Sequence, residues 1–150
     1  VKANVGPAGG DETAEDSSTT VKNVDAVSST AGASGKASFT LDNTGSADAT
    51  LTAIALNSTT SDATAVRRNK NARLSLVTPD TDLVTQDIPI DGTKREFDTT
   101  VTLTAGEQEE FEFDRFEDSS GKVDVRGESL TFTIYFDDGS TGIYTVTFPN

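Results

Sequence analysis

Cysteine, histidine, methionine and tryptophan are all absent from the 150-residue chain. Without cysteine no disulfide can form, so packing must hold the fold. A Cys nucleophile, a Cys/His metal site and a Ser-His-Asp triad are equally impossible within this chain. The missing histidine also removes the usual general base near neutral pH. These absences point away from catalysis, and no cofactor is expected. Long apolar runs are lacking too. No stretch approaches the ~20 residues of a transmembrane helix, and no signal-peptide pattern opens the sequence. Val1 therefore reads as a mature or trimmed N-terminus.

Positive charge is scarce. Twelve Lys and Arg face 25 Asp and Glu, giving a formal net charge of −13 and a pI near 4.2. Such a surface repels phosphate backbones and anionic lipid headgroups, so nucleic acid and membrane surfaces are not expected partners. It stays soluble where other surfaces salt out. Together with few lysines and a remainder rich in Ser, Thr, Ala and Gly, it has a halophilic character. Leu, Ile, Val and Phe supply only 33 residues, and they are unevenly placed. Residues 2–20 hold one of them, Val5, beside Pro7, Gly9, Gly10 and an acidic Ser/Thr stretch. The expected organisation is an N-terminal arm over residues 1–20, flexible or ordered by a partner, followed by one domain over residues 21–150.

From Val21 onward the apolar period is two. Phe39 and Leu41 alternate with Ser38 and Thr40, and Phe111 and Phe113 alternate with Glu110, Glu112 and Asp114. Leu130, Phe132, Ile134 and Phe136 form the cleanest stripe, followed by Tyr144, Val146 and Phe148. On residues 51–56, Thr52, Ile54 and Leu56 are expected on one face and Leu51, Ala53 and Ala55 on the other. Alternation of this kind marks strands with one buried face. Asn43-Thr44-Gly45-Ser46, Asp91-Gly92, Ala105-Gly106, Ser119-Ser120-Gly121 and Asp137-Asp138-Gly139-Ser140 supply turns. Strands are expected at 21–28, 36–42, 49–56, 72–77, 83–90, 97–104, 108–116, 122–126, 129–136 and 143–149, with an irregular loop around 57–71. The expected fold is all-β: an immunoglobulin-like, two-sheet antiparallel β-sandwich with an extended N-terminal arm. Phe39, Leu41, Ile54, Leu103, Phe111, Phe113, Phe132, Ile134, Phe136, Val146 and Phe148 should form its core.

Few residues suggest chemistry. Glu107, Glu109, Glu110, Glu112, Asp114, Glu117 and Asp118 form the densest acidic cluster. Glycoside hydrolysis would need two fixed carboxyls, one with a raised pKa, flanking a groove. Alternation with Phe111 and Phe113 instead makes this a solvated strand face. Asp137-Asp138-Gly139 and Pro79-Asp80-Thr81-Asp82 carry oxygens suited to calcium, but neither has the EF-hand spacing, and ordinary turns are the favoured reading. No metal site is expected. Asn57-Ser58-Thr59 is the one N-glycosylation sequon, so Asn57 is a candidate glycan acceptor. Arg67, Arg68, Lys70 and Arg73 gather four of the twelve cations into seven residues, a candidate contact for an acidic neighbour such as a second copy. Val21, Val24 and Val27 are spaced unevenly for one strand face, so they too are candidate subunit contacts.

Three stretches carry a resemblance. FTLDNTGSADATLTAIAL at residues 39–56 resembles a strand, Asn-Thr-Gly turn and strand of CARDB-like sandwich domains of archaeal surface proteins. It is equally similar to the sandwich heads of archaeal type IV pilin-like and archaellin-like proteins. VTLTAGEQEEFEFD at residues 101–114 resembles a later hairpin of those domains, and LTFTIYFDDGSTGIYTVTF at 130–148 the C-terminal hairpin of haloarchaeal pilin-like ectodomains. The resemblance implies an extracellular or cell-surface structural protein of a halophilic archaeon that self-associates into a filament. Pilins and archaellins begin with a long apolar helix, whereas this chain has an acidic, Gly-rich arm. Assembly by strand donation is the corresponding expectation. A carbohydrate- or protein-binding adhesion module of a larger exported protein is the alternative.

Overall fold

Sequence alternation becomes strand wherever one face can be buried. The computed structural model describes residues 17–20, 23–67, 75–79 and 81–150, and among them there are strands and turns but no helix. One sheet contains β1 (Ser17–Thr20), β4 (Ala49–Thr59), β9 (Lys94–Leu103), β13 (Ser129–Phe136) and β14 (Thr141–Thr147), in the order β1-β14-β13-β4-β9. The second contains β2 (Val24–Ala31), β3 (Ala37–Asn43), β6 (Leu76–Val77), β7 (Asp82–Val84) and β10 (Gln108–Phe113), in the order β2-β3-β10-β6-β7. A smaller third sheet joins β5 (Ala65–Val66), β8 (Ile88–Pro89), β11 (Phe116–Asp118) and β12 (Gly121–Lys122), in the order β12-β11-β5-β8. The paired strands run antiparallel.

The two large sheets face each other across an aromatic core. Phe39 of β3 stacks on Phe111 of β10 at 5.1 Å and meets Phe132 of β13, in the opposite sheet, at 4.5 Å. Every residue expected in the core is at most 3% exposed. Tyr144 is also fully buried, and its hydroxyl donates to the Val24 carbonyl at 2.9 Å, tying β14 to β2. The fold is an all-β sandwich.

Its departures from the expected strands have local causes. The strand expected over 108–116 breaks at Asp114-Arg115. Phe113 and Phe116 are three apart, so a continuous strand would put them on opposite faces. The break lets both bury, with their rings 5.3 Å apart. The span 83–90 divides into β7 and β8, and the expected irregular loop around 57–71 contains the end of β4 and all of β5. On β4, Leu51 pairs with Phe136 while Ala53 pairs with Tyr135, leaving Thr52 as a bulged extra residue. The bulge reverses the phase. Leu51 therefore joins Ile54 and Leu56 in the core, contrary to the expected facing, and Thr52 donates its hydroxyl to the Tyr135 carbonyl at 3.2 Å.

The last four residues of the span read as an arm belong to the sandwich. Ser17 to Thr20 pair with Thr145 to Gly142, making β1 an edge strand. Only residues 21–23 then separate β1 from β2, which lies in the other sheet.

Candidate interaction surface

The sandwich has two poles. One carries the Asn43–Ala49 connection, the β13–β14 turn and the Thr20 end of β1. The other carries the β2–β3 turn, the third sheet and the end of β14 at Phe148. At this second pole Gly35 is buried with φ +88°, and a Cβ there would meet the Phe116 carbonyl at 2.9 Å. Phe116 N–H donates to the Gly35 carbonyl at 2.8 Å. Only glycine suits a positive φ pressed so closely against another backbone. The contact fixes Ser34 and Lys36, on either side of Gly35, beside Arg115.

Ser34, Lys36, Asp114, Arg115, Ser120, Gly121 and Lys122 line an open pocket of about 500 Å³ at this pole. Lys36, Arg115 and Lys122 are three of the seven cations among the described residues. Lys36 Nζ stands 3.5 Å from Glu112. Arg115 Nε stands 2.8 Å from Glu117 Oε2 but off the N–H direction, so the contact is an ion pair without an aligned hydrogen bond. Lys122 is exposed and has no ion pair among the described residues.

The expected site residues scatter. Arg67 lies near Glu117 at 3.7 Å and Asp87 at 3.8 Å, and its N–H donates to the Arg115 carbonyl at 2.8 Å. Arg68, Lys70 and Arg73 lie outside the described residues, as do Val21 and Asp80. Val24 is 0% exposed inside its own core, which removes it from any surface contact. Val27 sits at a bulge of β2 and is 45% exposed. Ile143 has the same exposure, on β14 opposite Thr19 of β1. Sequence reasoning passed over Ile143, although it stands out of phase with the Tyr144, Val146 and Phe148 stripe. Asn57 is exposed at the second bulge of β4, and its Nδ2 donates to Thr133 Oγ1 at 2.9 Å.

The acidic cluster disperses into structural tasks. Glu107 Oε1 accepts from the backbone N–H of Thr104, Glu110 accepts from Ser38 Oγ, and Asp118 accepts from the backbone N–H of Ser120. Asp138 likewise closes its own turn on Ser140. Among the described residues no group of three or more Asp or Glu is placed to hold a metal ion. Hydrogen bonds from the Thr93 hydroxyl and N–H hold Asp91 below the usual carboxylate range. Arg126 does the same for Asp124. Both carboxylates are surface groups biased toward the charged form, unsuited to donating a proton.

No family model matches the chain, and neither a curated protein nor a solved structure shows significant similarity to it.

Proposed function

We propose that this chain is a non-catalytic structural module of an extracellular assembly, a filament or pilus of a halophilic archaeon, joined copy to copy through its N-terminal segment. The observation that carries this reading is the status of β1. It is four residues long, all Ser and Thr, and lies at a sheet edge. A strand paired through main-chain hydrogen bonds can be replaced by the same strand from another copy at little cost, which is the basis of strand exchange. Val27 and Ile143, exposed on the β2 and β14 side of the sandwich, supply apolar surface beside that edge. A glycan on Asn57 fits the same extracellular setting, since the bulge leaves that side chain outside the packed face.

Deleting residues 1–20 and imaging the product by electron microscopy tests the reading. The expected product is a monomer with an intact β circular-dichroism spectrum, in conditions where the full chain forms filaments. Normal filaments from the truncated chain would overturn it. A full chain that stays monomeric under all conditions would favour the adhesion-module alternative.

A further inference from the structure

The two large sheets turn their outer faces in opposite directions, and the faces differ in charge. On the second sheet, Asp25 of β2 stands opposite Asp42 of β3, and Glu110 and Glu112 follow on β10. On the first sheet, β13 turns out Thr131, Thr133 and Tyr135, and β14 turns out Thr141, Ile143 and Thr145. Ala53 and Ala55 of β4 pair with Tyr135 and Thr133 and continue that face. None of these residues is charged, in a chain with 25 acids among 150 residues. Strand propensity does not force the difference, because β3 and β10 carry carboxylates at equivalent outward positions.

Hydroxyls on the uncharged face are already paired. Thr131 and Thr145 share an Oγ1–Oγ1 hydrogen bond of 2.9 Å, and Thr133 Oγ1 accepts from Asn57 Nδ2 at 2.9 Å. Covering such groups costs less than covering hydroxyls that rely on water. Ile143, opposite Thr133 in the register, is 45% exposed. Charge enters at the β9 margin. There Lys94 Nζ stands 3.3 Å from Glu96 and 4.6 Å from the centre of the Tyr135 ring. A neutral centre with a charged rim is the anatomy of a protein interface.

We propose that the outer face of β14, β13 and β4 is a docking surface for the same face of a second copy. The occupant follows from charge. A cationic partner is drawn to the acidic outer face of the other sheet, and an anionic one is repelled by a net charge of −13. A sugar ring finds no free aromatic platform, because Lys94 already stands over the Tyr135 ring. Two copies that meet through this face bring no carboxylates into opposition, whereas contact through the other outer face sets acid against acid. The same patch on both partners makes a two-fold contact. With its β1 and β9 margins the face has five strands. At ~4.8 Å per strand and ~6.8 Å per outward residue it covers about 600 Å², so a pair buries about 1,200 Å², the low end for a specific interface. Self-repulsion opposes the contact in dilute buffer, and screening relieves it at molar salt. The inference rests on the self-association proposed above but not on strand exchange.

Analytical ultracentrifugation of the full chain in molar salt reads the contact, with each variant's fold checked by circular dichroism. Self-association should weaken about tenfold or more in Thr133→Glu and in Ile143→Glu, because the new carboxylate is buried without a partner. Thr133 lies on β13, two strands from β1, so its substitution leaves the N-terminal pairing alone. Thr133→Lys is the deciding variant. It lowers the net negative charge, so association limited by whole-molecule repulsion would strengthen, whereas burial at the face makes lysine weaken it as glutamate does. Ser28→Glu, exposed on the outer side of the second sheet, should leave association unchanged. A parent that associates while Thr133→Glu associates equally well, or a lysine variant that associates more tightly, would overturn the face alone. A parent that stays monomeric at molar salt would overturn the face together with the proposed self-association.

Discussion

Asn43 is one of the four buried polar residues among those described. It is 2% exposed and joins the two large sheets at one pole. Its Nδ2 donates to the carbonyls of Ala47 and Leu103, both at 2.8 Å, and its Oδ1 accepts from Gly45 N–H at 3.0 Å. Asn43→Ala leaves those groups without partners and should cost about 2–4 kcal/mol, read by urea unfolding. Asn43→Asp is predicted to behave differently with pH. An ionised carboxylate would face two carbonyl oxygens, so the folded state favours the protonated acid and the folded pKa rises above the unfolded value. The penalty is then small below the unfolded pKa of about 3.9 and grows as pH rises past it. A pH-independent penalty would count against this geometry. The Asn-Thr-Gly turn is legible in the sequence as a turn. That its side chain bridges to Leu103, sixty positions away, is not, because a turn signal is local and the bridging partner is chosen by tertiary packing.

At the level of elements, the aromatic layer decides stability. Phe39 contacts Phe111, Phe113 and Phe132, so one ring binds both sheets. Phe39→Ala should cost about 3–5 kcal/mol, because the surrounding rings cannot collapse into the space. Phe97, 8% exposed on the edge strand β9, should cost clearly less when truncated. Equal losses in chemical denaturation would mean that the core does not centre on β3. The stripes of β10, β13 and β14 are readable directly, because unbroken alternation leaves one choice of buried face. β4 is not, because apolar residues occupy both parities from Leu51 to Leu56, and only pairing with Phe136 reveals the bulge at Thr52. A one-residue offset inverts every later side chain, so a missed bulge becomes a wrong face. The basic pocket is equally hidden in the sequence. Lys36, Arg115 and Lys122 are far apart along the chain, and Gly35 gives no sign of the backbone it must approach.

For the whole molecule, the excess of carboxylates governs the response to salt. Acidic residues outnumber basic ones 25 to 12, so at least half the carboxylates cannot have a cation of their own. Asp48, Asp62 and Asp137 are exposed, and their side chains hold neither an ion pair nor a hydrogen bond among the described residues. In dilute buffer their mutual repulsion opposes compaction, because the unfolded chain spreads the same charges further apart. The Debye length falls from about 30 Å at 0.01 M to about 3 Å at 1 M, shorter than most carboxylate separations on such a surface. The melting temperature should therefore rise steeply from dilute to molar salt, by about 2–4 °C for each 1 kcal/mol of repulsion relieved. General salting-out would also raise it, so the slope needs a charge control. Asp48→Asn with Asp62→Asn and Asp137→Asn removes three unpaired charges without touching the core. This variant should melt higher than the parent in dilute buffer and converge on it at molar salt. Parallel curves separated by a constant offset would show that the substitutions act locally, and a flat parent curve would remove charge repulsion as a determinant of the fold.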